Sequence, residues 1–270
     1  MRLSEITKLL EKCGIENAKG EARMLIEHFC GIKRELLFGT DVDCDSSELI
    51  SAVRRRCERE PLQYILGYAD FYRERYVVTP DCLIPRQDTE VLIEHVTAMI
   101  PDGESILDLC TGSGCIAIST LKNTKNTTAV AVDISDAALN IARKNAENNS
   151  VTDRISFIHH DVLSRAIEGK FYAILSNPPY VTPAAYSTLE QELFHEPKIA
   201  FLGGDDGLCF YKRLTELYRE SLKEGGFIAY EIGYDQREAI AEIATMKDMT
   251  CEVINDLVNN PRVAILRPQK

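Results

Sequence analysis

From about Thr89 onward, short apolar strands alternate with helical segments, and the last two strands lie too close together for a helix between them. Ser105–Leu109 (SILDL) reads as a buried strand, Gly114–Leu121 as a helix, Thr128–Asp133 (TAVAVD) as a second strand and Ala137–Glu147 as a second helix. Ile155–His159 and Tyr172–Ser176 are the third and fourth strands. Tyr211–Leu222 reads as helical and Gly226–Glu231 as a fifth strand. Cys251–Leu257 and Arg262–Leu266 follow, joined by a turn at Asn259-Asn260-Pro261. Alternating units of this kind require a parallel sheet with right-handed crossovers. Parallel neighbours need a dozen or more connecting residues, so the final two strands must pair antiparallel. The expected class is α/β: a doubly wound, mostly parallel sheet with an antiparallel closing strand.

Upstream the chain changes character. Ile6, Leu9, Leu10 and Cys13 repeat at helical spacing, with Ser4 as N-cap and Gly14 as stop. A second helix is expected over about Asn17–Cys30, ending at Gly31. A third starts at Ser46 or Ser47, carries Leu49, Ile50 and Val53 on one face, and is ended by Pro61. Arg54, Arg55, Arg56 and Arg59 lie on this third helix, either as a solvated face or as a dock for an acidic or nucleic-acid partner. Segment 61–90, with breaks at Gly67, Pro80 and Pro85, reads as a short β-hairpin and loop rather than a helix. The chain therefore divides into a small helical domain over 1–70, a β-hairpin linker over 71–88 and a catalytic domain over 89–270.

Bulk properties narrow the choice. A chain of 270 residues, 45% hydrophobic, can bury a core without disulfides or metals and is too apolar to be disordered. No apolar run is long enough to span a bilayer, and the charged, amphipathic N-terminus is not a secretory signal. The nine cysteines form no C-x-x-C pair and no Cys/His cluster at zinc spacing, so free thiols in the cytoplasm and no metal are expected. The net charge is −11. It is concentrated in the body: residues 1–75 carry 13 basic against 14 acidic groups, the remainder 18 against 28. An acidic body disfavours a grip on long nucleic acid, which depends on neutralising phosphates.

The first strand runs into Cys110-Thr111-Gly112-Ser113-Gly114 and then a helix. Glycines let a backbone turn tightly and approach a ligand closely. Asp133 ends the next strand, where a carboxylate can accept from both hydroxyls of a ribose. The dinucleotide fingerprint is incomplete because position 117 is Ala, and the antiparallel ending favours the methyltransferase version of the fold over the dehydrogenase version. A nucleoside cofactor held by residues 110–114 and Asp133 is expected. Asp161, ending the third strand, either accepts from an adenine amino group beside Val162 or is an ordinary solvated strand-end residue. His159 and His160 face opposite sides of that strand and read as structural.

The fourth strand delivers Asn177-Pro178-Pro179-Tyr180 at the edge where ligands bind in open α/β folds. Two successive prolines cannot continue a strand, so a fixed loop is required. An amino group conjugated with a π-system is a poor nucleophile because its lone pair is delocalised. The Asn177 side-chain oxygen and the Pro178 carbonyl can accept its two N–H groups, position the nitrogen and favour charge build-up on it. Tyr180 can pack on the planar group, and the prolines pre-order the loop.

NPPY after a fourth strand is shared by class I S-adenosylmethionine methyltransferases that modify planar amino or amide nitrogens. PLQYILG (61–67), LIPRQDTE (83–90), DLCTGSG (108–114), SNPPYV (176–181), EP (196–197) and LGGDDGL (202–208) together resemble the HemK/PrmC protein-(glutamine-N5) methyltransferases. That family modifies the Gln of the GGQ loop in class I peptide chain release factors. Gln87 departs from its usual Pro, and Cys110 from its more usual Gly, though Cys110 is small enough for a crowded loop. The resemblance implies that Cys110, Thr111, Gly112, Ser113, Gly114 and Asp133 bind S-adenosyl-L-methionine, with Asp161 and Val162 at the adenine and S-adenosyl-L-homocysteine as product. It further implies that Asn177, Pro178, Pro179 and Tyr180 hold the substrate glutamine, with Asn177 also bordering the cofactor. Arg86, Thr89 and Glu90 would line the mouth of the site, although Asp88 or Thr89 also reads as the cap of the next helix. Gly203, Gly204 and Gly207 would shape a loop near the substrate channel, though by residue type they read only as a flexible turn.

The activity implied is methyl transfer to a protein glutamine by direct displacement, with Asn177, Pro178 and Tyr180 carrying the chemistry and no dedicated strong base. The helical head with its arginines would help dock the release factor. No nucleic acid, membrane or oligomer is required, and a monomer is expected. The main alternative is an N6-adenine methyltransferase, which applies the same NPPY logic to a flipped base. A silent ligand-binding scaffold is disfavoured by the intact Asn177 and Tyr180, and a nicotinamide-dependent oxidoreductase by the loose glycine loop.

Overall fold

The computed structural model describes residues 1–269, which group into two units: Met1–Tyr68 with Glu190–His195, and Ala69–Leu189 with Glu196 onward.

In the first unit, helices α1 (Leu3–Lys12), α2 (Ala18–Cys30), α3 (Ser47–Cys57) and α4 (Leu62–Leu66) share a core that includes Ile6, Leu10, Leu25, Ile26, Leu49 and Leu66. The Ser46 hydroxyl accepts the Leu49 N–H at 3.2 Å and caps α3. Gly31 ends α2 in the left-handed region, at φ 65°. Ser4 is not the cap of α1. Arg2 holds that position, and the Ser4 N–H and hydroxyl both donate to Asp41 at 2.8 Å, because an external carboxylate outcompetes the helix end for them. Pro61 does not end α3 either. It is the N-cap of α4, at φ −53°, and Gly67 closes that helix at φ 79°. Leu62, Ile65 and Leu66 sit at helical spacing within PLQYILG, so this part of the expected hairpin-and-loop segment is a single buried helical turn.

The arginines of α3, and Arg59, which lies beyond the end of that helix at φ 68° rather than on it, are not a free cationic face. Arg56 is buried: its Nε donates to Glu21 at 2.6 Å, and its Nη1 and Nη2 donate to Glu192 at 3.2 Å. Arg59 donates to the other Glu192 oxygen at 2.8 Å and to the Gly14 carbonyl at 2.8 Å, while Arg55 pairs with Glu60. Two of the arginines thus hold the Glu190–His195 segment within this unit, and only Arg54 of the 54–56 run is exposed.

A hairpin of β1 (Tyr68–Phe71) and β2 (Glu74–Val77) groups from Ala69 on with the second unit. The main sheet contains β3 (Ser105–Leu109), β4 (Thr128–Asp133), β5 (Ile155–His159), β6 (Phe171–Ser176), β7 (Leu222–Glu231), β8 (Met249–Asn255) and β9 (Pro261–Pro268). Its order is β5-β4-β3-β6-β7-β9-β8, parallel except for β9, which runs antiparallel to both β7 and β8. The helices are α5 (Glu90–Thr97), α6 (Cys115–Lys122), α7 (Asp136–Asn148), α8 (Pro183–Tyr186), α9 (Cys209–Tyr218) and α10 (Arg237–Met246). Ile106 packs into one apolar cluster with Ile116 and Phe227, and its neighbour Leu107 into another with Tyr211 and Tyr230. Both parities of β3 are therefore buried, as a doubly covered sheet requires. The helix expected to reach Leu222 stops earlier. Leu222 instead starts β7, where it pairs with Phe171, so that strand is longer than the Gly226–Glu231 core.

Candidate active site

Backbone register assembles the site. Leu109 pairs with Val132 on one side and Ser176 on the other, and Ser176 pairs with Tyr230. The next residue on each strand, in the order Asp133, Cys110, Asn177 and Glu231, therefore stands in one row at the carboxyl edge of β4, β3, β6 and β7. Between β3 and β6 the winding direction of the sheet reverses, which opens a crevice at that edge. The Ser176 hydroxyl donates to the Leu109 carbonyl at 2.6 Å and fixes the two strand ends together.

The loop after β3 is built from left-handed residues: Cys110 at φ 60°, Gly112 at φ 53° and Gly114 at φ 82°. At Cys110 this conformation is unfavourable for an L-residue, which explains why glycine suits the position better. A Cβ added to Gly112 would meet nothing within 4 Å, so the loop leaves a cradle there. Asp133 closes the loop from the side, its Oδ2 accepting the Gly112 N–H at 2.8 Å and its Oδ1 the Ser135 N–H at 2.9 Å. Burial raises its pKa while these N–H groups oppose the rise. Beneath the loop, the fully buried Asp108 accepts the Thr111 hydroxyl at 2.6 Å and the Ala117 N–H at 3.2 Å, both on Oδ2. Its Oδ1 has no hydrogen-bond partner among the described residues, and burial pushes the carboxyl up to about 7. Asn145 of α7 ties the loop to the hairpin, donating to the Ser113 carbonyl at 2.9 Å and accepting the Val77 N–H at 2.7 Å.

The loop after β6 carries the second half of the site. Asn177 Nδ2 donates to the Thr89 hydroxyl oxygen at 3.3 Å, and Thr89 donates its proton to Glu231 Oε2 at 2.5 Å. The Tyr180 hydroxyl donates to Glu231 Oε1 at 3.5 Å, and Tyr211 donates to the Glu231 backbone carbonyl at 2.9 Å. Burial pushes the Glu231 carboxyl up to about 7, opposed by the Thr89 hydrogen bond and the charge of Arg262. Burial, and then the Glu231 charge, raises the Tyr180 phenol. The 202–208 segment is not merely a flexible turn. A Cβ on Gly203 would lie 2.6 Å from the Pro179 carbonyl oxygen and from Tyr180 Cα, and one on Gly207 would collide with the Tyr180 carbonyl. The Val181 N–H donates to Phe201 at 2.7 Å and the Gly203 N–H to Val181 at 3.0 Å, so the NPPY loop is seated on these glycines.

A cavity of about 300 Å³ joins the two loops, within the usual range for small-molecule sites. Cys110, Gly112, Asp133, Asp161, Val162, Asn177 and Pro179 line it. Thr111 and Ser113 are buried behind the loop, and a Cβ on Gly114 would crowd Ile118 and Ala142 at 3.0 and 3.1 Å. Asp161 Oδ1 accepts the Leu163 N–H at 2.9 Å. His159 and His160 each bond a backbone carbonyl through Nε2, to Ile134 at 2.8 Å and Arg165 at 3.0 Å, and His160 also borders the cavity. Arg86 pairs with the buried Glu196, which accepts the Ile84 N–H at 2.9 Å. Glu90 accepts the Tyr72 N–H at 2.9 Å and secures the hairpin turn. Asp81, Ile134 and Phe210 also stand in the cavity wall without any motif to mark them. Three wall carboxylates, Asp81, Asp133 and Asp161, beside apolar Val162, Ile134 and Phe210, suit a nucleoside that carries positive charge. Each Asp133 oxygen retains a lone pair for a ribose hydroxyl. Among the described residues no helix is long and apolar enough to cross a membrane.

Known proteins align with this arrangement. The Methyltransferase small domain family matches residues 86–205, and the PrmC N-terminal domain family matches residues 3–67. The chain is 37% identical over 237 residues to the release factor glutamine methyltransferase of Geobacter sulfurreducens, a match covering 86% of this chain and 82% of that one. It is 35% identical over 301 residues to the bifunctional methyltransferase of Rickettsia felis, covering 98% of this chain but only 57% of that protein's length. Among solved structures, the ribosomal protein L11 methylase of Lactobacillus delbrueckii subsp. bulgaricus has a TM-score of 0.51 at 19% identity, over 72% of this chain and 84% of that one, and shares the fold.

Proposed function

The chain belongs to the release factor glutamine methyltransferase family, and from that premise we infer that it methylates the side-chain amide nitrogen (N5) of the GGQ glutamine in class I peptide chain release factors. The methyl donor is S-adenosyl-L-methionine, leaving S-adenosyl-L-homocysteine. The observation that carries this reading is the side chain of Asn177. It borders the same cavity as Gly112 and Asp133, and its Nδ2 is occupied by Thr89, which leaves Oδ1 to accept from a planar amide.

Cys110, Gly112, Asp133, Asp161 and Val162 are the residues that would hold the cofactor, with Asp133 accepting from the ribose. When bound, that cofactor supplies a methyl group on a cationic sulfonium. The chain itself supplies orientation. Asn177 Oδ1 and the Pro178 carbonyl accept the two N–H groups of the substrate amide, draw its lone pair out of conjugation and aim the nitrogen. Pro178 and Pro179 are buried and pre-order the loop, and Tyr180 packs its ring on the planar group. The helical first unit is assigned to docking the release factor and the second to catalysis, in a cytoplasmic monomer that needs no nucleic acid.

The test is incubation with labelled S-adenosylmethionine and, separately, intact release factor, its GGQ→GGA variant, or DNA. Label on intact release factor alone is expected. Label on DNA would favour the N6-adenine alternative, and label on none of the three would remove the reading.

A further inference from the structure

Glu231 is a buried carboxylate that the mechanism above leaves without a role, yet it sits next to Asn177 in the row of strand-end residues. Both of its oxygens are engaged by the site: Oε2 by Thr89 at 2.5 Å and Oε1 by Tyr180 at 3.5 Å. We propose that Glu231 is a positioning residue whose carboxylate draws the Thr89 proton toward itself and thereby fixes Asn177 with Nδ2 on Thr89 and Oδ1 toward the substrate amide. This rests on the function inferred above and names what sets the polarity of its central residue.

The physical basis is the direction of a hydrogen-bond chain. A threonine hydroxyl has one proton to give, and an ionised carboxylate can only accept. While Glu231 is ionised, Thr89 donates to it and meets Asn177 with lone pairs alone. Only the amide N–H of Asn177 can then face Thr89, so the orientation of an otherwise two-fold side chain is decided. If Glu231 is protonated it can donate to Thr89. Thr89 is then free to donate to Asn177, and the amide can turn its N–H groups toward the substrate N–H groups, which repel them. The same carboxylate anchors the Tyr180 hydroxyl, so one group governs both walls of the substrate site.

The groups facing Glu231 are Arg262 from β9, Asp88 from the turn before α5, Tyr180 from the NPPY loop, Tyr211 from α9 and Cys115 from α6. Arg262 favours the ionised form and Asp88 opposes it, while burial dominates and places the titration at about 7. Turnover should therefore fall as pH drops through that range.

The experiment compares wild type, Glu231→Gln, Thr89→Val and Thr89→Ser. Glu231→Gln and Thr89→Val should each lower kcat on release factor by roughly 10–100-fold, with cofactor Kd changed less than about threefold. Thr89→Ser, which keeps the hydroxyl, should recover most of what Thr89→Val loses. The acidic limb of the kcat–pH profile should vanish in Glu231→Gln. Independently of any substrate, the Asn177 side-chain 15N–1H2 resonances of the cofactor-free protein should titrate with a midpoint near 7 in wild type and stay fixed in Glu231→Gln. A normal kcat in Glu231→Gln, or an Asn177 amide that titrates identically in both proteins, would overturn the proposal. Failure of wild type to label release factor while the Asn177 titration behaves as expected would instead strike at the inferred substrate.

Discussion

Asp133 accepts the Gly112 backbone N–H at 2.8 Å, so the carboxylate at the end of β4 and the glycine loop after β3 form one element. In Asp133→Asn the amide must turn N–H groups toward either the Gly112 or the Ser135 N–H, both of which need an acceptor. Losing a charged acceptor costs about 1.5–3 kcal/mol, or roughly 10–100-fold in cofactor affinity. Calorimetric titration of the variant with S-adenosylmethionine measures it. An unchanged Kd would mean that Asp133 shapes the loop without touching the ligand.

Cys110 sits at φ 60°, where a side chain is unfavourable. Cys110→Gly and Cys110→Ala both remove the thiol, so their difference isolates the backbone. Glycine should be the more stable by about 1 kcal/mol in urea unfolding. Equal stabilities would mean that the left-handed turn costs alanine nothing at this position.

Gly203 has no left-handed φ, so its need for glycine is purely steric: a Cβ would stand 2.6 Å from the Pro179 carbonyl oxygen. Gly203→Ala should push the NPPY loop out of place and lower kcat by about 100-fold while cofactor Kd stays near wild type, since displacements of an ångström cost that much. Equal losses in both quantities would point to general unfolding instead.

These three positions also show what the sequence could disclose. β3, β4 and β5 are legible to the residue because each is a short apolar-rich run bounded by turn-formers, even though burial falls from the nearly enclosed β3 to β5, which stands at the sheet edge with no fully buried residue. The glycine loop, the strand-end Asp133 and the NPPY loop are legible because their residue types are chemically unusual at strand ends, whereas the hydrogen bond that joins Asp133 to Gly112 emerges only from the β3–β4 register. Thr89–Glu231 is not legible, since 142 positions separate the partners and only the β6–β7 register brings Glu231 beside Asn177. α4 and α10 escape for a different reason. One is a single turn, and the other, REAIAEIATM, follows a strand with no strong cap to mark its start.

Asp108 makes stability depend on pH. Its carboxyl titrates near 7 in the fold against about 3.8 when exposed, because burial disfavours the charge. Below about pH 4 both states are protonated and the fold bears no penalty. As pH rises toward 7 the unfolded chain releases this proton while the fold retains it, so stability falls, and above 7 the loss is complete. Three units correspond to on the order of 4 kcal/mol. Asp108→Asn should flatten the curve of unfolding free energy between pH 4 and 7 by that amount, leaving the smaller slope that Glu231 imposes in the same window. A variant curve parallel to wild type would show that Asp108 is not the group responsible.

Arg56 is the buried centre of an ion network in the helical unit, with Glu21 at 2.6 Å and Glu192 at 3.2 Å. Desolvation lowers its pKa, but the two carboxylates outweigh it and the guanidinium stays charged. A buried pair is weak evidence of net stabilisation, yet removing one partner strands the other charges. Arg56→Ala leaves Glu21 and Glu192 facing one another without their shared cation, and should destabilise this unit by about 3–5 kcal/mol. Arg54→Ala, at the exposed position of the same run, should change stability by less than about 0.5 kcal/mol. The contrast separates the two roles an arginine run can have. Were these residues a docking face, Arg54→Ala would weaken kcat/KM on intact release factor as much as Arg56→Ala does, with both proteins equally stable. Were they an internal clamp on Glu190–His195, Arg56→Ala would lower the urea midpoint and expose that segment to proteolysis while Arg54→Ala behaves as wild type, the outcome the ion network favours.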